Sequence, residues 1–424
     1  MKISASQKDY SWNTLAGIIN AAEAVIMSMI VTRTTNLADA GMLSIAFAIG
    51  NLLMAIGKYG MRTYQVTDFS HQYRFGDYFL SRLLTAGIML LSVFFYIVYA
   101  HMRLDYDLSK IYVVLIICLI YVVEALEDVF WGYYQQEGYL ADGAKIFCIR
   151  WLGILFCFGI TCILGHNMLL ALWLSLGVSI ILVIICICLT FHKVSGERYK
   201  RRFAWIREGT MKKAVQLLGQ AFPLFGVTFL SFYVINSPKY AIDKCMDNEV
   251  QACYGFIAMP VFAIGLLNSF IYQPTLVAMA EEWNEKKLAS FRKRIRKQGI
   301  IIAAITALVL VAAYFLGIPI LSWLYNTDLT NYKIELLTLL LAGGFLAGTG
   351  YLTAVLTTMR MQKYLFVGYV VVALLAFCFM NRAVGSYGIL GGAIYYCFLM
   401  FVLCIIYLIM LSIGLIKGKQ KNEK

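Results

Sequence analysis

The sequence predicts an all-α polytopic membrane protein with about twelve transmembrane helices in two six-helix bundles. Three observations carry that prediction. Hydrophobic residues make up 61% of the chain and charged residues 14%, whereas an average soluble domain carries roughly 25% charged residues. The mean hydropathy is +0.75. Apolar runs of about 20 residues, enough to cross a hydrocarbon core of about 30 Å, recur along the whole chain. Most of the 11 cysteines lie inside those runs and have no loop-based spacing, which excludes a disulfide scaffold.

Taken in order, the first half offers spans at 14–32, 41–60, 79–100, 111–133, 146–164 and 168–190. The second half offers 215–236, 250–273, 299–324, 335–356, 364–381 and 389–416. The first run is too long, and its flanks too polar, for a cleaved signal peptide, so it is expected to be retained. The fifth and sixth spans meet tightly at Gly165–Asn167. An aromatic belt of Phe130, Trp131, Tyr133 and Tyr134 marks the end of the fourth.

Basic residues test this count independently. With the N-terminus inside, the cytoplasmic loops and adjoining helix ends hold 29 of the 36 Lys and Arg residues. That excess is the orientation signal of membrane proteins, and it puts both termini in the cytoplasm. The most basic connection, 191–213, divides the chain into bundles 1–190 and 214–424, the second ending in a basic tail. Six spans per half give the halves the same orientation, so any internal repeat is parallel. Phe-Ala-Ile-Gly at 47–50 and again at 262–265 is a faint trace of one. The net charge of +13 is explained by basic loops facing anionic lipid headgroups, so no nucleic-acid partner is implied.

All five prolines lie in the second half. Pro223 and Pro260 fall within the seventh and eighth spans, where a missing backbone donor kinks a helix. Two readings stand: passive shape, or bent helices that gate a transporter.

No loop is long enough for a soluble catalytic domain, so chemistry or transport belongs to the membrane region. Acids within spans cost about 2.5–3.5 kcal/mol at a helix centre and commonly face a cavity or a partner. Trp12 marks the inner interface, which puts Glu23 roughly 16 Å deeper, near the midplane. Asn13, Gly17, Asn20, Glu23 and Met27 form one polar or small stripe at helical spacing, suited to lining a cavity. The alternative is a Glu23 bonded to a neighbouring helix. Glu124, Glu127 and Asp128 share one face of the fourth span and need a cationic partner or a proton. Glu127 and Asp128 are expected to reach outward to the interface, and Glu124 to lie deeper. Arg33, Lys58, Arg62, Arg82, Arg150 and Lys239 are the available cations, with Arg150 at a depth to meet Asp128 or Glu127. The four histidines are scattered singly, so neither a metal site nor a His-centred enzyme is indicated.

The strings VTRTTNLADAGMLSIAFAIGNLL and KYGMRTYQVTDFSHQYRFGDYFLSR resemble the Wzx-type polysaccharide-repeat flippases, the polysaccharide transporter branch of the MATE-like flippase superfamily. NSPKYAIDK and QACYGFIAMPVFAIGLLNSFIYQP resemble the seventh and eighth helices of that family. The likeness runs over most of residues 11–300. It implies two bundles around a V-shaped central cavity and a polyprenyl-diphosphate-linked oligosaccharide as substrate, moved across the cytoplasmic membrane for cell-surface polysaccharide synthesis. Glycosyltransferases and a polysaccharide polymerase are the implied partners, alongside membrane lipids. Arg33, Arg62, Asp68, Arg82 and Pro238-Lys239-Tyr240 fall at recurrent family positions. Related peptidoglycan-precursor flippases carry an arginine-rich first helix, where this chain has Asn20 and Glu23.

The cations, with Asn20, are thus the candidate substrate contacts. Glu23, Glu124, Glu127 and Asp128 are the candidate sites for a coupling H⁺ or Na⁺, and no other cofactor is expected. A cation-coupled multidrug exporter of the same superfamily is the main rival, followed by a membrane-embedded polysaccharide enzyme.

Overall fold

The computed structural model describes residues 5–68, 72–195 and 209–420, and every regular element among them is helical. Most of the basic connection 191–213 lies outside the described residues. Among the described residues, ten helical stretches are long and apolar enough to cross a membrane. One of them, residues 362–416, contains two spans, because Gly388 leaves helical geometry at φ 59° and ψ −144°. Adding the 29-residue helix Leu108–Gln136 brings the number to the twelve that the sequence predicts.

The chain forms two compact units, 1–232 and 233–424, whose boundary falls inside one long helix. In the first unit the elements are α1 (Ala5–Thr34), α2 (Leu37–Lys58), the short α3 (Met61–Thr67), α4 (Phe75–Arg103), α5 (Leu108–Gln136), α6 (Leu140–Gly165) and α7 (Met168–Ser195). Helix α8 (Met211–Cys245) carries the boundary.

Helix α2 is the interior helix of the first unit, packed along α5 and α4. Its small residues let other helices approach closely, as membrane packing favours. A Cβ on Gly50 would lie 2.7 Å from the Tyr121 ring, and one on Gly57 would lie 2.7 Å from Met89 Sδ. Asn36 caps the start of α2 by accepting from Asp39 N at 2.7 Å. Tyr59 and Gly60, both left-handed, turn the chain into α3. Helix α1 packs on α6, and α6 on α7. Large side chains of α4 such as Leu91, Phe94 and Phe95 stay uncovered, as a lipid-facing surface requires. Near the ends of these helices, Phe75, Tyr78, Phe130, Tyr133 and Tyr134 form an aromatic cluster that Leu217 and Ala221 of α8 complete.

The second unit continues with α9 (Asn248–Ala258), α10 (Val261–Tyr272), α11 (Leu276–Asn284), α12 (Leu288–Ala312), α13 (Ile318–Tyr325), α14 (Lys333–Thr358) and α15 (Gln362–Gln420). Helix α14 is central to it, packed along α15, α10 and α12. Gly343 faces the Val261 carbonyl and Gly344 faces Thr306, each closer than a Cβ would permit.

The two prolines behave differently. At Pro260 the helix is interrupted, ending at Ala258 and restarting at Val261. Pro223 lies within α8, which continues unbroken from Met211 to Cys245, so the kink expected there does not interrupt the helix. Its missing N–H removes one bond from a ladder that the flanking turns maintain.

Candidate functional site

Helix α5 organises the site. Glu124, Glu127 and Asp128 recur three and four residues apart, so they share one face, and all three are buried. Each meets cations from other elements. Glu124 Oε1 accepts from Lys58 Nζ at 2.7 Å, while its Oε2 accepts from Arg150 Nη2 at 2.7 Å and Trp151 Nε1 at 3.0 Å. Arg150 Nε donates to Glu127 Oε2 at 2.5 Å. Asp128 Oδ2 accepts from Arg82 Nη2 at 2.8 Å, and its Oδ1 lies 3.8 Å from Arg62 Nη1.

The outward placement expected of Glu127 and Asp128 is therefore corrected. Their side chains turn inward, because Arg150 of α6 and Arg82 of α4 compensate charges that would otherwise seek the interface. Of the two acids offered to it, Arg150 meets Glu127, and it also reaches Glu124.

Arg82 has a further structural task. Its Nη1 donates to the Gly57 carbonyl at 2.6 Å, which also accepts from Thr85 Oγ1 at 2.8 Å. Gly57 belongs to the last turn of α2, where carbonyls lack intrahelical partners and cations are favoured. Arg82 and Arg150 are 0% exposed, so both are enclosed by these partners.

Lys58 and Arg62 keep part of their side chains accessible, at 30% and 25%. Arg62 donates through Nε and Nη2 to Gln135 Oε1 at 3.2 and 2.9 Å. Its guanidinium stands 3.8 Å from the Trp131 ring centroid, a cation–π arrangement. Gly143 lies against the Trp131 indole, closer than a Cβ would permit.

A cavity of about 270 Å³ adjoins these groups. Asn13, Gly17 and Asn20 of α1 form one wall. Lys58, Arg62 and the α5 acids supply the charge, and Trp131 with Phe147 supplies aromatic surface. Glu127 Oε1 and Arg150 Nη1 are buried without a protein partner among the described residues, so the network has unused hydrogen-bonding capacity.

The α1 stripe divides. Its Asn13–Asn20 part lines the cavity, but Glu23 and Met27 are buried beyond it. Glu23 Oε1 accepts from Tyr121 OH at 3.0 Å, so the neighbouring-helix alternative describes Glu23, and its place among the cavity-lining residues is corrected. Tyr121 already fixes where the carboxyl points. Arg33 is exposed at the end of α1 and is not part of the cavity wall. Lys239 belongs to the second unit, where it lines a smaller space of about 30 Å³.

Sequence reasoning missed Tyr121, Trp131, Trp151 and Gln135 as members of this site. Tyr121 precedes Glu124 by three residues and is legible as a same-face neighbour. Trp151 and Gln135 carry no such signal, since each acts across helices.

No family model and no curated sequence matches the chain. Solved structures do match its fold. One is the inward-facing conformation of a multidrug resistance MATE family transporter of the MOP superfamily, with a TM-score of 0.72 and 10% identity over 97% of this chain and 98% of that one. Another is the lipid II flippase MurJ in an inward closed conformation, with a TM-score of 0.68 and 14% identity over 96% of this chain and 89% of that one. A third is a MOP superfamily transporter from Pyrococcus furiosus, described as having a binding pocket of reverse polarity, with a TM-score of 0.59 and 12% identity over 98% of this chain and 95% of that one. The chain is a multi-pass membrane protein with the fold of the MATE-like transporters of the MOP superfamily.

Proposed function

We propose that the protein is a transporter that moves polyprenyl-diphosphate-linked oligosaccharide repeat units across the cytoplasmic membrane by alternating access, coupled to an H⁺ or Na⁺ gradient. The observation that carries this reading is the composition of the first-unit cavity. Lys58 and Arg62 present partly accessible cations there, Asn13 and Asn20 offer exposed amides, and Trp131 and Phe147 complete the lining.

Charge balance also supports the reading over the exporter. By formal charge, Lys58, Arg62, Arg82 and Arg150 offset Glu23, Glu124, Glu127 and Asp128. A site built to draw in cationic drugs benefits from unneutralised acids, whereas here the carboxylates of α5 are occupied by arginine and lysine. The acids then serve in coupling, where a proton or Na⁺ competes with these partners. Fold likeness to both a multidrug transporter and a lipid II flippase keeps the exporter as the second reading. Both termini and the basic loops face the cytoplasm in this proposal, and glycosyltransferases and a polymerase act before and after the transport step.

Translocation of a fluorescent polyprenyl-diphosphate-linked sugar in proteoliposomes tests the proposal, with and without a pH or Na⁺ gradient. Gradient-dependent movement supports it. Absence of movement across several glycan lengths, together with efflux of a cationic dye, transfers the function to the exporter.

A further inference from the structure

The short helix α3 is tied to both of its neighbours. Arg62 bonds Gln135 of α5, Tyr64 bonds Gln220 of α8, and the Asp68 carbonyl at its end accepts from Gln136 Nε2 at 3.2 Å. Gln65 is the exception. It is 0% exposed, and neither Oε1 nor Nε2 has a hydrogen-bond partner among the described residues. Its amide lies against Gly132 of α5, closer than a Cβ there would permit. Gly132 is four residues beyond Asp128, so the unpaired amide rests on the face that carries the buried acids. A buried amide without partners forfeits its bonds to water, and a native protein that keeps one needs a reason. Docked α3 is therefore less stable than its contacts alone would make it, whereas an undocked α3 returns the amide to water. The chain enters α3 through Tyr59 and Gly60, at φ 50° and 63°, an element-terminal bend of the kind that serves as a hinge. Arg62, three residues before Gln65, lines the 270 Å³ cavity and stands over Trp131.

We infer that α3 is a releasable strap over one end of the first-unit cavity, and that the unpaired Gln65 amide keeps its docked form poised to open. Release withdraws Arg62 from the cavity wall along with the rest of the strap. This rests on the alternating-access reading and adds a moving part to it. The proposed orientation turns α3, which joins the second and third spans, to the cytoplasm. A fully satisfied or apolar residue at 65 would hold the strap shut; Gln65 makes closure reversible.

Hydrogen exchange over residues 61–67 of the purified full-length protein in detergent tests the inference. Transport of the fluorescent polyprenyl-diphosphate-linked sugar in proteoliposomes is the second readout. Gln65→Met keeps the length of the side chain and removes the unpaired groups. It is expected to slow exchange of 61–67 about fivefold or more, with a thermal midpoint equal to or above that of the wild type. Transport is expected to slow with it. Gln65→Glu, which buries a charge, is expected to speed exchange over the same residues. Faster exchange or a lower thermal midpoint in Gln65→Met would mean that the amide holds α3 in place, and would overturn the inference. Slower exchange with transport at the wild-type rate would overturn the strap's part in the cycle. If the wild type transports nothing, the alternating-access reading fails on its own, and the exchange result alone upholds or overturns the loosening of α3 by Gln65. Should Gln65→Met not fold, Gln65→Leu provides the same comparison.

Discussion

Arg82 Nη2 and Asp128 Oδ2 meet at 2.8 Å between α4 and α5, and the same guanidinium holds the Gly57 carbonyl of α2 through Nη1 at 2.6 Å. One arginine thereby fixes three helices. It closes the C-terminal end of α2, whose last carbonyls need donors, and compensates an acid that could not remain buried alone.

Arg82→Ala leaves Asp128 facing Arg62 at 3.8 Å without its close partner and reduces Gly57 O to its Thr85 bond. The expected loss is about 3–5 kcal/mol, the cost of breaking a buried ion pair. Replacing both members with apolar residues, Arg82→Met with Asp128→Leu, is expected to recover much of that loss. Thermal unfolding in detergent reads both results, and a double variant no better than Arg82→Ala would refute the pairing argument.

Glu23→Gln preserves an acceptor for Tyr121 OH, so the fold is expected to survive. Gradient-dependent transport is expected to disappear, because an amide cannot exchange a proton or bind Na⁺ as a carboxylate does. Transport at the wild-type rate, measured in the same proteoliposomes, would remove Glu23 from the mechanism.

Gly143→Ala brings a methyl group against Trp131. The indole must shift, and it carries the cation–π contact with Arg62. Overpacking of this kind costs about 1–3 kcal/mol. A shifted tryptophan emission maximum and reduced substrate affinity are expected, and unchanged values of both would show that the cavity wall does not depend on this contact.

Gln220 of α8 accepts from Tyr64 OH at 2.5 Å and from Tyr73 OH at 2.9 Å, tying the start of that helix to the α3–α4 region. Tyr59 stacks on Phe225 beside it, with centroids 4.4 Å apart. Gln220→Leu is expected to cost about 1–2 kcal/mol for two hydroxyl bonds. Hydrogen exchange of residues 211–225 should accelerate before that of α5; protection equal to wild type would count against this tie.

Glu282, in α11 outside the candidate spans, accepts from Arg294 Nε at 3.0 Å and Nη2 at 2.5 Å. That hydrogen-bonded pairing holds the Glu282 carboxyl below its usual range. A depressed folded-state pKa stabilises the protein above the unfolded carboxyl value, and the contribution disappears as pH falls through the folded value. The pair is partly exposed, so its effect is about 1 kcal/mol or less. Glu282→Gln should lower the thermal midpoint slightly at neutral pH and leave it unchanged in strong acid; an equal shift at both would refute the ionic origin.

The sequence by itself determined the class of molecule and its segments. Hydropathy fixes where a chain can cross a membrane, because the length of an apolar run is a local property, and the break that separates the last two spans appears in the structure at Gly388. Periodicity likewise put Glu124, Glu127 and Asp128 on one face of α5. Tertiary structure decided where that face points and what it meets. Periodicity gives an azimuth on one helix, whereas the Lys58, Arg82 and Arg150 partners lie 66, 46 and 26 residues away along the chain. Only packing could turn Glu127 and Asp128 inward and enclose Arg82 and Arg150, since each outcome depends on which helices become neighbours.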